Sequence, residues 1–175
     1  MLFIKIQELE FLINFKIRNA FEEDFIKISQ LGEKCSPMIN KRKAIYHIFT
    51  KYFKNTSLVL EDNENIKGFL IGFISQENNE NAYIHLLCIE KDSRGQNMAS
   101  NLLEEFISIV YSLGCKKVFL VCKPSNKMAI KFYNKMDFLP LYSDKTIVID
   151  DINIFKDYDG PNEDKIVFWK SINEI

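Results

Sequence analysis

Apolar and polar positions follow one another along this chain in an order that predicts its elements. From Asn14 to Arg18 they alternate with period two, the mark of a half-buried strand. Asn19-Ala20-Phe21-Glu22-Glu23-Asp24 then carries capping chemistry into a helix whose apolar residues are Phe25, Ile26, Ile28 and Leu31. Cys35-Ser36-Pro37 breaks that pattern, and a second helix follows from Asn40 to Phe53 with Ala44, Ile45, Ile48, Phe49 and Tyr52 on its apolar side. Ser57 to Leu60 and Ile66 to Ile74 read as strands around the polar turn Glu61-Asp62-Asn63-Glu64-Asn65, a hairpin pattern. Next come a strand at 82–89, a helix to Leu113 with Met98, Leu102, Phe106 and Val110 on one stripe, a strand from Lys117 to Cys122 and a helix at 126–136. Leu139 to Ile149 and Asp164 to Trp169 read as two strands joined by a long acidic loop. The predicted order is β-α-α-β-β-β-α-β-α-β-β, a mixed α/β (α+β) chain.

The length of 175 residues fits one domain, and 47% apolar residues with 15 Phe supply a core without staples. No repeat or low-complexity linker divides the chain, so 1–175 reads as a single domain, with 1–11 as an N-terminal extension, an extra strand or short helix. That start is broken by Lys5, Glu8 and Glu10, so it is neither a signal-peptide core nor a membrane span. A formal net charge of -1 leaves no global basic field for nucleic acid or an anionic membrane. Cys35, Cys88, Cys115 and Cys122 form no C-x-x-C pair and read as reduced thiols of a cytoplasmic protein, with no metal site.

The candidate chemistry lies at Ser93-Arg94-Gly95-Gln96-Asn97-Met98-Ala99-Ser100-Asn101-Leu102-Leu103, where an apolar strand meets an amphipathic helix. Backbone N–H groups at a helix N-terminus have no intrahelical partner and carry the positive end of the helix dipole, so a turn of small residues there can wrap a pyrophosphate. Neither G-x-G-x-x-G nor G-x-x-x-x-G-K-S/T occurs in the chain.

Arg94-Gly95-Gln96-Asn97-Met98-Ala99 resembles the R/Q-x-x-G-x-G/A loop of the GCN5-related N-acetyltransferase (GNAT) superfamily, which holds the pyrophosphate of acetyl-coenzyme A. Asn126-Lys127-Met128-Ala129-Ile130-Lys131-Phe132-Tyr133-Asn134-Lys135-Met136-Asp137-Phe138 is similar to the N-x-x-A/S-x-x-F/L-Y-x-K/R-x-G-F helix of the same family. The resemblance runs from Ile13 to Phe138. It implies a mixed, mostly antiparallel V-shaped sheet flanked by about four helices, with 139–175 as acceptor-side strands and loop. It also implies transfer of acetyl to a primary amine of a small molecule or peptide by direct attack, with acetyl-coenzyme A as co-substrate and no metal.

Carried over residue by residue, the resemblance assigns main-chain contacts with the pantetheine arm to Leu87, Cys88 and Ile89, and the phosphate turn to Arg94, Gly95, Gln96, Asn97, Met98, Ala99 and Ser100. Asn126 caps its helix and offers its amide to the pantetheine. Phe132 borders the slot, and Tyr133 falls where the family places a phenol beside the thioester sulfur, as general acid. Two residues depart from the pattern. Asn97 replaces a glycine and Asp137 another, and both types tolerate left-handed backbone angles.

Attack needs a neutral amine, so a base is required. His85, on a strand where 85, 87 and 89 are expected to share a face, is one candidate, and the alternative is a hydrogen-bonded core histidine. Tyr133 likewise has the alternative of a packed aromatic. Glu80 and Tyr46 are further base candidates, and His47 falls on the helix surface without a role. Cys35-Ser36-Pro37, Phe53-Lys54-Asn55-Thr56-Ser57 and 66–72 are similar to diaminobutyrate acetyltransferases, but Ile39 stands where that group has its substrate aspartate. Asp150, Asp151, Asp157, Asp159, Glu163 and Asp164 around Tyr158 form either an amine-attracting cluster or a solvated loop, and Phe132, Tyr158 and Tyr46 are candidate apolar walls. Two function classes remain: an N-acetyltransferase, or a catalytically weak acetyl-coenzyme A-binding regulatory module. A homodimer is compatible with either.

Overall fold

The computed structural model describes residues 16–34, 43–63 and 65–172. The N-terminal extension, Cys35-Ser36-Pro37, Ile39 and the expected start of the second helix lie outside the described residues. The elements are β1 (Lys16–Asn19), α1 (Phe25–Lys34), α2 (Lys43–Tyr52), β2 (Ser57–Asp62), β3 (Asn65–Ile74), β4 (Asn81–Ile89), α3 (Met98–Ser112), β5 (Lys117–Cys122), α4 (Lys127–Lys135), β6 (Leu139–Pro140), β7 (Thr146–Ile149), β8 (Ile152–Phe155) and β9 (Ile166–Ser171). Seven strands form one sheet in the order β1-β2-β3-β4-β5-β9-β6, while β7 and β8 form a separate hairpin. Among the described residues only the β4–β5 pair is parallel.

The sheet is split along that parallel pair. Asn81–Ile84 pair with Lys117–Leu120, but the last residues of both strands find no partner in each other. β5 instead pairs with β9 over its whole length, from Lys117↔Ser171 to Cys122↔Ile166, and the far half of β4 stays with β3. A wedge opens between Leu87–Ile89 and Val121–Cys122, the V shape expected.

Helices cover both faces. The predicted stripe of α3 is fully used: Met98, Leu102, Phe106 and Val110 are buried against Leu58, Leu60, Leu70, Ile84 and Leu120. On the other face α1 and α2 bring Ile28, Leu31, Tyr46 and Phe49 onto Val59, Phe69 and Ile71. The apolar side of α2 differs from the expectation. Phe49 is buried and Ile45 packs against the core as expected, but Ile48 is 46% and Tyr52 72% exposed, and Tyr46 is buried in their place. Two helical stripes of this segment carry apolar residues, and the sheet takes the one whose aromatic rings fill more volume.

A bulge sets the phase of β4. The register moves from Ile71↔Leu86 to Gly72↔Ile84, which leaves His85 as the extra residue. The expectation that 85, 87 and 89 share a face is therefore wrong: Ala82, Ile84, Leu87 and Ile89 face α3, whereas Leu86 and Cys88 pack with the α1–α2 face. His85 stacks on Phe49 of that second face.

The C-terminal region also differs. The expected strand 139–149 is two short strands, and the acidic stretch contains the β7–β8 hairpin, turned at Asp150 (φ 49°) and Asp151 (φ 61°). Consecutive left-handed residues suit the right-handed twist of a two-residue hairpin, and aspartate tolerates them. Among the described residues no helix is long and apolar enough to cross a membrane.

Gly72 sits opposite the bulge, where a Cβ would lie 2.6 Å from the Tyr83 carbonyl oxygen and 2.7 Å from Phe106 Cε2. Gly72→Ala is expected to destabilise the fold by about 1–3 kcal/mol in urea unfolding, the usual cost of overpacking. A change within about 0.5 kcal/mol, the range of neutral surface substitutions, would show that β3 and β4 are free to part there.

Candidate active site

The wedge and two helix starts enclose a cavity of about 420 Å³. One wall is built by the chain that leaves β4, makes a 3-10 turn at Lys91–Ser93 and enters α3. Arg94 donates from Nε to the Ile89 carbonyl at 3.2 Å, which ties the turn to the strand end. Gly95 (φ 87°) and Asn97 (φ 58°) are both left-handed, and Asn97 is the N-cap of α3 without a side-chain capping bond. The first-turn N–H groups of α3 therefore have neither an intrahelical acceptor nor a capping oxygen from Asn97. Across the cavity Asn126 caps α4, its Oδ1 accepting from the Ala129 N–H at 3.2 Å. Asp137, the other departure from the pattern, is left-handed at φ 60° and pairs with Lys170 at 3.3 Å.

Twelve of the residues singled out from sequence line this cavity: Leu87, Cys88, Ile89, Arg94, Gly95, Asn97, Met98, Ala99, Ser100, Asn126, Phe132 and Tyr133. Gln96 is exposed and is not among the lining residues, because the backbone reversal at Gly95 sends it outward. Sequence reasoning missed Val121 and Cys122, the opposite wall of the wedge, and Met128, Ala129 and Lys135 of α4. The helical residues lie inside the quoted motif and were within reach; the β5 residues carry no signal beyond an apolar strand.

Tyr133 lines the cavity and is buried edge-on against Phe132 (5.2 Å) and Phe138 (5.7 Å). Burial, with smaller effects of Cys122 and Tyr83, pushes its phenol well above the usual tyrosine range, so it remains protonated. His85 is outside the cavity lining. It stacks on Phe49 at 5.1 Å, and its Nε2 is buried with no hydrogen-bond partner. Burial lowers its pKa, against a smaller opposing pull from the Asp159 charge. Tyr83, not singled out from sequence, lies beside His85 (6.5 Å between ring centres), and burial pushes its phenol to about 12.

The other base candidates are placed elsewhere. Glu80 is ion-paired with Lys116, and Tyr46 is fully buried, edge-on to Phe69 at 6.2 Å, with Oη unpartnered. His47 is half-buried rather than on the helix surface, its ring 4.8 Å from that of Phe25. Cys115 and Cys122 are free, but Cys88 is disulfide-bonded, which corrects the expectation of four reduced thiols. Burial pushes the Cys122 thiol to about 11. Among the described residues no group of three or more His, Cys, Asp or Glu converges as a metal site.

The folded protein holds His85 neutral, whereas an unfolded imidazole takes up a proton near 6.5. A depressed folded pKa stabilises the fold above the unfolded value, and this contribution is lost as pH falls through the folded one. The His85 resonances are therefore expected to titrate in NMR with a midpoint below 6.5, the ordinary histidine value. A midpoint above it would mean that His85 is paired with an anion and is not a free base.

The sequence matches the family described as Acetyltransferase (GNAT) family over residues 17–138. It is 30% identical over 91 residues to the L-2,4-diaminobutyric acid acetyltransferase of Halalkalibacterium halodurans, covering 52% of this chain and 48% of that protein. It is 26% identical over 98 residues to N-alpha-acetyltransferase 30 of Schizosaccharomyces pombe, covering 55% and 65%. The chain thus spans about half the length of the first of these and under two thirds of the second. Among solved structures, the diaminobutyrate acetyltransferase EctA of Paenibacillus lautus, in complex with L-2,4-diaminobutyric acid and coenzyme A, superposes with a TM-score of 0.71. The match covers 93% of this chain and 99% of that one at 16% identity, a likeness of fold.

Proposed function

We propose that this chain, which belongs to the acetyltransferase (GNAT) family, moves acetyl from acetyl-coenzyme A to the primary amine of a small molecule or peptide. The observation that carries this reading is the wedge. The side of β4 at Leu87–Ile89 that β5 leaves, a left-handed turn at a helix N-terminus and a buried phenol line one cavity. Two independently predicted motifs meet there although nearly thirty residues separate them. The residues present fit the coenzyme: the turn at 94–100 offers N–H groups for a pyrophosphate, the edge of β4 pairs with the pantetheine amides, and Asn126 adds its amide.

When bound, acetyl-coenzyme A supplies an activated acyl group on sulfur. The protein's part is positioning and proton handling. The amine nitrogen forms a bond to the acyl carbon, the carbon–sulfur bond breaks, and one proton must leave nitrogen while sulfur gains one. Tyr133 donates its O–H toward the departing sulfur. Since a phenol with a raised pKa is a weaker acid than a thiol, it acts by hydrogen bonding to the developing thiolate, with full transfer following only as the amine proton is lost. His85, held neutral with a free Nε2, is the base, working through water because it lies beyond the slot. On this reading 139–175 is the acceptor side of a single domain. L-2,4-diaminobutyrate is not carried over as acceptor, since Ile39 stands at the position of the expected aspartate.

Coenzyme A at a hundred times its Kd is expected to stabilise the fold by about 2.7 kcal/mol, read as a thermal shift. No shift at millimolar coenzyme would remove the cofactor assignment. Tyr133→Phe should leave that shift intact and lower kcat about a hundredfold, the low end for acid catalysis. An unchanged kcat would reduce Tyr133 to packing, and an intact shift without turnover on any amine would favour the regulatory module. Asn97→Gly keeps the left-handed turn and removes a Cβ beside the phosphate site. Tighter coenzyme binding at unchanged kcat is expected; a loss of affinity with an intact fold would make the Asn97 amide a phosphate ligand.

A further inference from the structure

Phe53-Lys54-Asn55-Thr56-Ser57 joins the end of α2 to the start of β2, and the last two of these residues are buried. Ser57↔Ile71 is the final rung between β2 and β3 at this end, and before it the chain makes a 3-10 turn at Lys54–Thr56. The Gly72 carbonyl, one residue past that rung, accepts a hydrogen bond from Thr56 Oγ1 at 2.7 Å. The Phe53 carbonyl lies 3.2 Å from the same hydroxyl, but it already accepts from the Thr56 N–H at 3.1 Å. Threonine has one O–H to give, and the shorter contact takes it. Ser57 Oγ in turn donates to the Phe49 carbonyl at 3.3 Å.

Gly72 and Phe49 both bear on His85. The register against β4 shifts between Ile71↔Leu86 and Gly72↔Ile84, so the bulged His85 falls beside the residue that Thr56 holds. β2 and β3 stay in register from Ser57↔Ile71 to Leu60↔Gly68, and the extra residue is therefore taken up by β4. On the other side the Phe49 ring lies nearly parallel to the imidazole, with centres 5.1 Å and planes 11° apart. The same ring meets Phe53, the residue that leads into the turn, at 5.5 Å. The bulge sets where the His85 side chain starts, and the stacked ring sets how it is turned.

We propose that Thr56 is a positioning residue for His85: its hydroxyl closes β3 beside the bulge and fixes the end of α2, with Phe49, at the spacing that stacks the imidazole. This rests on the reading of His85 as the base and adds to it the residue that aims it. A buried carbonyl that loses its donor shifts toward another partner. At Gly72 such a shift passes directly to β4, because the two backbones are so close that a Cβ there would lie 2.6 Å from the Tyr83 carbonyl oxygen. A displacement of about 1 Å is enough to remove much of what orientation contributes to proton transfer.

The test uses the full chain. Stacking under Phe49 should move the His85 ring-proton resonances upfield, and Thr56→Val, which keeps the branched shape and removes the O–H, is expected to abolish much of that displacement. Thr56→Ser keeps the O–H and should restore it. With acetyl-coenzyme A and 2-phenylethylamine or 1,4-diaminobutane as amine probes, Thr56→Val should lower kcat about ten- to a hundredfold. The KM for acetyl-coenzyme A should not change, since the pairs from Gly68↔Ile89 to Ile71↔Leu86 hold that part of β4 without Thr56. In the unsubstituted protein the Thr56 hydroxyl proton should exchange with water slowly enough to be seen by NMR, a measurement that stands even where the valine variant does not fold. Unmoved His85 resonances in Thr56→Val, no rescue by Thr56→Ser, or a Thr56 hydroxyl in fast exchange would each overturn the inference. His85 resonances that move while kcat does not would uphold the positioning and sink His85 as the base instead.

Discussion

Everything in this molecule depends on the partial pairing of two parallel strands. β4 and β5 share four rungs and then part. Main-chain N–H and C=O groups seek partners, so a split in a sheet persists only if both strands are held from outside. β3 holds β4 through the pairs at Gly68, Phe69 and Leu70, and β9 holds β5 through Val121↔Val167 and Cys122↔Ile166. The wedge is thus a by-product of two stronger pairings, and it leaves a strand edge that an extended amide-bearing ligand can complete.

The same split brings a helix start to each side of the opening. Eight residues lead from the end of β4 into α3 and four from the end of β5 into α4, so two helix starts border one cavity. They are treated differently. Asn126 spends its side chain on its own helix, whereas Asn97 adopts the left-handed angles of a glycine and leaves its helix uncapped. The start of α3 is thus left open by its N-cap residue, and that of α4 is closed by its own.

The bulge at His85 separates the chemistry of β4 into two faces. Without the extra residue His85 would share the face of Leu87 and Ile89, under α3, where an imidazole would be entombed among Leu and Phe. With it, the ring turns to the α2 side beside Tyr83, within the field of Asp159. One inserted residue therefore divides the side chains of β4 between the two faces of the sheet.

The sequence by itself determined the parts that local chemistry controls. The stripe of α3, the bounds of β5, the Asn126 cap and the turn at Arg94–Ala99 were all legible, because helical periodicity, capping and small-residue turns act over a few neighbouring residues. What only the tertiary structure decided involved competition between distant parts. Which apolar stripe of α2 is buried depends on the shape of the sheet beneath it. The face taken by His85 depends on a register shift against β3, which no pattern within β4 announces. Val121 and Cys122 face a cavity only because β9, more than forty residues later in the chain, draws β5 away from β4.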